Sequence, residues 1–552
     1  MKYKLFLLLL ISFPIQSSAD EIFWWCDTGP HPHFNYWAFE SDFDAATNAC
    51  ISDVGYDFWS AVGTLGSLTI TENNPSNFTI RLEVTYFSDG VLRTQLTHKV
   101  RKVTCPDDWV FIRGPGLPTK CEGIPVCPAG EKYNSLRFQC EDNPKDHGPC
   151  PPGTCGIKNP INPGTGNKFQ IETDYTSKSP FGLIIQRTYN SNDSVTSSRI
   201  GQNWRHSYDK SIETVNSKRV DVYRDDGKVF GFTLSVNSWI PDADVTGRLT
   251  ELLNAQSDRI GWQYITENDT VEEYDISGRL ISLSNRAGQT QTLDYEVSSN
   301  NGGDDFPHSL DKVTDLFGRT LQFSYDVDGQ IDAITDPTGA IYTYSYDANK
   351  NLEIVTYPDE TPLDSNDNPT RIYHYEDVNF IHALTGITDE TGNRFATWGY
   401  DTQGRAIFSE HAGSDRADLV YNVDGTTTVT DASGNVQVHH FDTLFGIHRT
   451  GAIDGDQCTN CGTTAKNTTY DANGFVASRT DFNGNITNYI NDARGLETTR
   501  TEAVGTSEER TITTEWHATF RLPIKITEPG KITTFTYDTQ GRLLERSEET
   551  AP

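Results

Sequence analysis

Basic residues are scarce in this 552-residue chain: 45 Lys and Arg stand against 77 Asp and Glu, a formal net charge of −32. A phosphate backbone is gripped by cations, so nucleic acid is excluded as a direct ligand, and an anionic membrane surface with it. Long apolar runs are missing beyond the first twenty residues. The run from Leu5 to Ile15 falls short of the ~20 residues that a spanning helix needs. With Lys2 and Lys4 ahead of it and Ser17-Ser18-Ala19 behind, it reads as a signal peptide over residues 1–19, cleaved before Asp20. A lipid anchor is not expected, because Trp24-Trp25 precede the first cysteine, Cys26, where lipoprotein processing requires small residues. The mature chain is expected to be secreted or held at the cell surface without spanning a membrane.

Catalytic signatures are missing too. There is no Gly-x-Ser-x-Gly elbow, no His-Glu-x-x-His, no phosphate-cradling Gly-x-x-x-x-Gly-Lys and no dinucleotide fingerprint. Carboxylates are so abundant that no pair of them is informative. Asp364-Ser-Asn366-Asp-Asn368 opens like an EF-hand loop, but Pro369 takes the sixth position and Tyr375 the twelfth, so the calcium loop fails. No catalytic residue and no cofactor is assigned, and the chain is not expected to be an enzyme.

What is present is a repeat. Asp315-Leu-Phe-Gly318-Arg319 and Tyr325-Asp326-Val-Asp-Gly329 recur as Asp336-Pro-Thr-Gly339 and Tyr346-Asp347-Ala-Asn-Lys350, a shift of 21 positions throughout. The Tyr-Asp phrase returns at Gly278, Gly404, Gly474 and Gly541, with worn copies at Gly425, Gly446 and Gly495. Asp and Gly at these offsets are turn chemistry, and the residues between them alternate with period 2, as Thr320, Gln322 and Ser324 do against Leu321, Phe323 and Tyr325. Each unit is therefore a β-hairpin, and a fixed period near twenty means a repeat architecture.

At these residues the chain resembles the RHS/YD-repeat family. A second likeness supports it: Asn159-Pro-Ile-Asn-Pro-Gly164-Thr-Gly166-Asn167-Lys168, followed by Arg187-Thr-Tyr189-Asn190 and Gly201-Gln-Asn-Trp204-Arg-His206, is similar to the leader that opens the repeats in bacterial members. The resemblance implies an all-β fold, a long antiparallel strip of hairpins forming a partial shell, with about 35 to 40 strands over residues 159–548 at roughly ten residues per strand. It divides the chain into a signal peptide (1–19), a cysteine-rich module (20–158), a leader (159–270) and repeats (271–548). Family shells enclose a C-terminal toxin behind a core segment, and neither is expected after the Gly541-Arg542-Leu543 copy.

Ten cysteines are all disulfide candidates in an exported chain: Cys26, Cys50, Cys105, Cys121, Cys127, Cys140, Cys150 and Cys155 in the N-terminal module, and Cys458 and Cys461 among the repeats. For the last two, zinc is the competing reading, since His439, His440 and His448 lie just upstream of Cys458-Thr-Asn-Cys461 and two Cys with two His, His440 and His448 the candidates, satisfy a tetrahedral site. The function expected is that of an exported shell or scaffold segment of a toxin-type system, with a protein partner or cargo chain. An adhesin that binds surface polysaccharide is the alternative.

Overall fold

A computed structural model describes residues 145–149, 160–193, 199–295, 309–359, 361, 367–456 and 465–550, together with the strands between Ile22 and Asp142. The chain divides into two compact units, Met1–Pro125 and Val126–Pro552. In the first, Ile22–Asp27, Leu96–Thr104, Asn77–Ser88 and Gly63–Asn74 pair in that order into an antiparallel sheet, and Trp109–Ile112 pairs with Lys120–Gly123. The signal peptide and most of the cysteines lie outside the described residues. Cys26, Cys121 and Cys140 fall on strands.

The second unit is all strand among its described residues. Phe169–Thr176, Ile184–Asn190 and Trp204–His206 make one leader sheet, and Ser211–Asn216, Arg219–Tyr223, Val229–Ser235 and Ser238–Pro241 make another. From Arg248–Leu253 to Leu543–Glu549, 26 strands then pair each with the next in sequence, all antiparallel, in a single sheet. From Phe169 onward there are 33 strands among the described residues, slightly fewer than the expected span divided by ten. The sheet's first strands lie inside the stretch read as leader.

Alternation decides which face is buried. In Thr320–Tyr325, Leu321 and Phe323 are buried while Gln322 and Ser324 face out, and Ile331 and Ile334 continue the inner row on the next strand. The leader packs on this inner face, so Trp204, Tyr189, Val220 and Phe232 share one core with Trp262, Leu321, Ile334, Val355 and Leu384. The sheet also curls back on itself: the Arg521 N–H donates to Asp269 Oδ2 at 2.8 Å, joining turns 252 residues apart.

Candidate functional site

The Asp-x-x-Gly phrase closes the hairpins that carry it in the same way. At Asp326 the backbone N–H of Gly329 donates to the Asp326 carbonyl at 3.0 Å, while Oδ1 accepts from the N–H groups of Asp328 and Gln330, each at 2.9 Å. The glycine takes positive φ, 76° at Gly329 and 82° at Gly278, which only the absence of a Cβ makes free of strain. Lys350 holds the same place at φ 63°. Where Arg follows, its Nε returns to the aspartate, as Arg405 does to Asp401 Oδ2 at 2.8 Å. Gly446 is different: with Phe445 at φ 54° and Gly446 at φ 76°, it forms a two-residue turn between Val436–Leu444 and Ile447–Gly455.

The repeated tyrosine has a role that its position in the phrase does not announce. Tyr346 Oη donates to the Ile331 carbonyl at 2.6 Å, Tyr325 to Leu310 at 2.7 Å, Tyr295 to Leu280 at 2.8 Å and Tyr421 to Ala406 at 2.5 Å. Ile331 follows Tyr325 by six residues and precedes Tyr346 by fifteen. Each tyrosine thus ties down the strand that leaves the previous tyrosine's turn. The 21-residue period is the sum of the two steps, and it is enforced by a hydrogen bond.

The leader is fastened to these turns at several points along the repeats. Pro163 O accepts from Thr427 Oγ1 at 2.8 Å, Gly166 O from Ala406 N at 2.9 Å, Gln202 N donates to Lys350 O at 3.0 Å, and Ile212 N donates to Gly278 O at 2.8 Å. The carbonyl of Arg199, three residues ahead of Gln202, accepts from Ile331 N at 2.7 Å. The leader therefore supplies partners to backbone groups along one edge of the strip, which would otherwise lie open.

Between leader and sheet sits a buried ionic knot. Arg187 and Asp174 have fully buried side chains and pair through Nε at 2.6 Å and Nη2 at 2.8 Å. Tyr344 and Tyr357 donate to Asp174 at 2.9 and 3.1 Å, and Arg187 Nη2 donates to Tyr373 Oη at 2.9 Å. Burial opposes the guanidinium charge, yet Asp174 and the surrounding hydroxyls hold its pKa well above the ordinary value. Nearby, Lys168 is completely buried with its ammonium 4.1 Å from the centroid of the Trp398 ring, and burial pulls its pKa well below the ordinary lysine value. A second knot joins Arg224 to Glu272 at 2.5 and 2.9 Å, with Tyr274 Oη donating to Glu272 at 2.8 Å. Burial pushes the Glu272 carboxyl up, but Arg224, Lys210 and Tyr274 together outweigh it and leave its pKa at about 2. None of these groups is among the residues that wall the cavity at Phe230 and Tyr489.

Beyond the leader's reach the inner face changes. Phe323 pairs with Ile334 and Tyr344 with Val355, and both aliphatics are 0% exposed. In the same register later, Thr468 pairs with Arg479, Tyr489 with Arg500 and Phe535 with Arg546. The Arg500 and Arg546 side chains are 35% and 55% exposed. The inner row thus turns from buried aliphatic residues to partly exposed arginines in the later strands. At the boundary lies a cavity of about 570 Å³, walled by Lys145, His147, Phe230, Phe475, Arg479 and Tyr489 among others.

The residues read as zinc candidates are engaged elsewhere. His440 Nε2 lies 2.9 Å from Asp454 Oδ2, and His448 Nδ1 lies 2.8 Å from Asp146 Oδ2. No group of three or more His, Cys, Asp or Glu that could hold a metal exists among the described residues. Cys458 and Cys461 lie outside them. His439, the third histidine upstream of Cys458 and Cys461, is 1% exposed with neither ring nitrogen hydrogen-bonded, and burial lowers its pKa to about 4.

Two family models match segments of this anatomy. The RHS repeat model matches residues 325–362, and a domain of unknown function, DUF6531, matches residues 158–232. No curated protein matches. Among solved structures, TcdB2-TccC3 without its hypervariable C-terminal region is 14% identical over 86% of this chain and 27% of that one, with a TM-score of 0.37. The Photorhabdus luminescens Tc holotoxin pore is 13% identical over 69% of this chain and 21% of its own, with a TM-score of 0.29. The chain spans roughly a quarter of the length of these structures. With an RHS repeat at its centre, the DUF6531 segment ahead of it and a tyrosine tether repeated along one continuous sheet, the chain is an RHS/YD-repeat protein.

Proposed function

We propose that this protein is a scaffold segment of a toxin-type assembly: an exported β-strip that holds a partner polypeptide against its uncovered inner face. The observation that carries the reading is the change in the inner row. Ile334 and Val355 are sealed in the core that the leader shares, whereas Arg500 and Arg546 stand in the same register with side chains 35% and 55% exposed. A face built to be covered by its own chain stays aliphatic, and a face that receives another chain carries aromatics and arginine. The buried charges of this fold are consumed by one another, which favours holding over catalysis. No helix among the described residues is long and apolar enough to cross a membrane.

The test is site-specific photo-crosslinking in the producing cell, with benzoylphenylalanine placed at Tyr489, on the inner face, or at its outward neighbour Ile490. The expected result is a polypeptide adduct from position 489 alone. Adducts from 490 only, or none with a protein while the purified chain is retained on surface polysaccharide, would refute the scaffold reading.

A further inference from the structure

Residues 145–149 cross the cavity wall as a strap, and all five line the cavity. Each is fastened to a different place. Lys145 Nζ lies 2.8 Å from both Asp242 Oδ2 and Asp244 Oδ1. Asp146 accepts from the His448 backbone N–H at 3.2 Å, and Gly148 N donates to Asn190 Oδ1 at 2.6 Å. Pro149 O accepts from Lys228 Nζ at 3.2 Å.

His147, at the centre, is 8% exposed and its Nδ1 lies 3.1 Å from the Gly227 carbonyl. A carbonyl only accepts, so Nδ1 carries a proton, as it does in both the neutral ring and the imidazolium. The charged groups that face it are Asp193, Arg205 and Asp226. Two of these carboxylates are already paired, Asp193 with Arg205 at 2.8 Å and Asp226 with Lys228. A second proton on the ring would therefore create a buried cation whose nearest anions are already neutralised. Burial, helped by Arg205, lowers the His147 pKa more than Asp193, Asp226 and the Gly227 carbonyl raise it.

We propose that residues 145–149 are an acid-released lid over the cavity, with the His147 imidazole as its trigger. With the strap seated, His147 is neutral; with the strap lifted, the ring is free to take its proton from water. The sign follows from linkage: a lowered folded-state pKa stabilises the seated strap above the ordinary histidine value and loses that stabilisation as pH falls below it. Release uncovers the cavity wall made by Phe475, Arg479 and Tyr489, where the open inner face begins. The lid does not depend on what the inner face holds.

Hydrogen exchange with mass spectrometry on the full chain at pH 7.5 and 5.5, corrected for intrinsic rates, tests this. The strap amides are expected to open up to about tenfold more for each pH unit below ~6.5, while strand Thr370–His374 keeps its protection. His147→Gln retains an N–H for the Gly227 carbonyl and cannot titrate, so its strap should be indifferent to pH. His448→Gln should keep the wild-type acid response. Strap protection in the wild type that is flat or rises in acid overturns the proposal, as does an acid response that survives in H147Q or disappears in H448Q. Should H147Q fail to fold, carbethoxylation of His147 in the wild type, normalised to its neutral fraction, reads the same opening. That rate must rise on acidification, and a constant rate overturns the trigger.

Discussion

Replacing Arg187 by methionine leaves the Asp174 carboxylate in a site where its side chain is 0% exposed. It keeps two donors, Tyr344 at 2.9 Å and Tyr357 at 3.1 Å, and loses both guanidinium bonds. Removing one partner of a buried ion pair costs about 3–5 kcal/mol, chiefly because the other charge stays behind. Asp174→Leu strands the guanidinium in the same way and is expected to cost a similar amount. The double variant leaves no buried charge, only tyrosine hydroxyls to re-pair, so its cost should fall short of the sum of the singles by about 2 kcal/mol. Urea denaturation followed by tryptophan fluorescence suits the measurement, since the Arg187 guanidinium lies 5.0 Å from the Trp204 ring centroid. Single variants costing under about 1 kcal/mol, or strictly additive ones, would show that Arg187 and Asp174 are not coupled as a buried ion pair.

Gly278→Ala and Gly318→Ala form a matched pair. Both glycines have positive φ, but a Cβ at Gly318 meets nothing, whereas one at Gly278 overlaps the Ile212 carbonyl oxygen. The substitution at Gly318 should cost about 1 kcal/mol and that at Gly278 at least twice as much in thermal or urea unfolding, because it also pushes the leader off its turn. Tyr346→Phe removes the tether to Ile331 O and should cost about 1–2 kcal/mol, read as faster amide exchange in strand Ile331–Thr335. Glu272, with its pKa depressed to about 2 from 4.5, contributes stability that is complete above the ordinary value and is lost as pH falls through the folded one. That contribution is about 3 kcal/mol at most, and Glu272→Gln should flatten the acid limb of the unfolding curve below pH ~4.5. An unchanged limb would count against the Arg224 pairing.

Much of the strip was legible in the sequence because hairpins are local objects. Asp326, Gly329 and the alternation of Leu321 with Gln322 act on neighbours a few residues away, so spacing alone fixes turn, strand and inward face. The likeness to RHS leaders over residues 159–206 likewise marked where the repeats are introduced. Contacts across 100 residues or more leave no such spacing. Nothing in the phrase shows that Tyr346 reaches back fifteen residues to a carbonyl, that Asp174 and Arg187 find Tyr344 and Tyr373, or that Gln202 meets Lys350 and Ile212 meets Gly278. Nor does the local pattern separate Ile334 from Arg500, since both occupy one register and differ only in whether a leader segment lies above them. Only the tertiary structure decided that, because burial belongs to the assembled molecule, and an inner-facing position becomes core or open surface according to what packs against it.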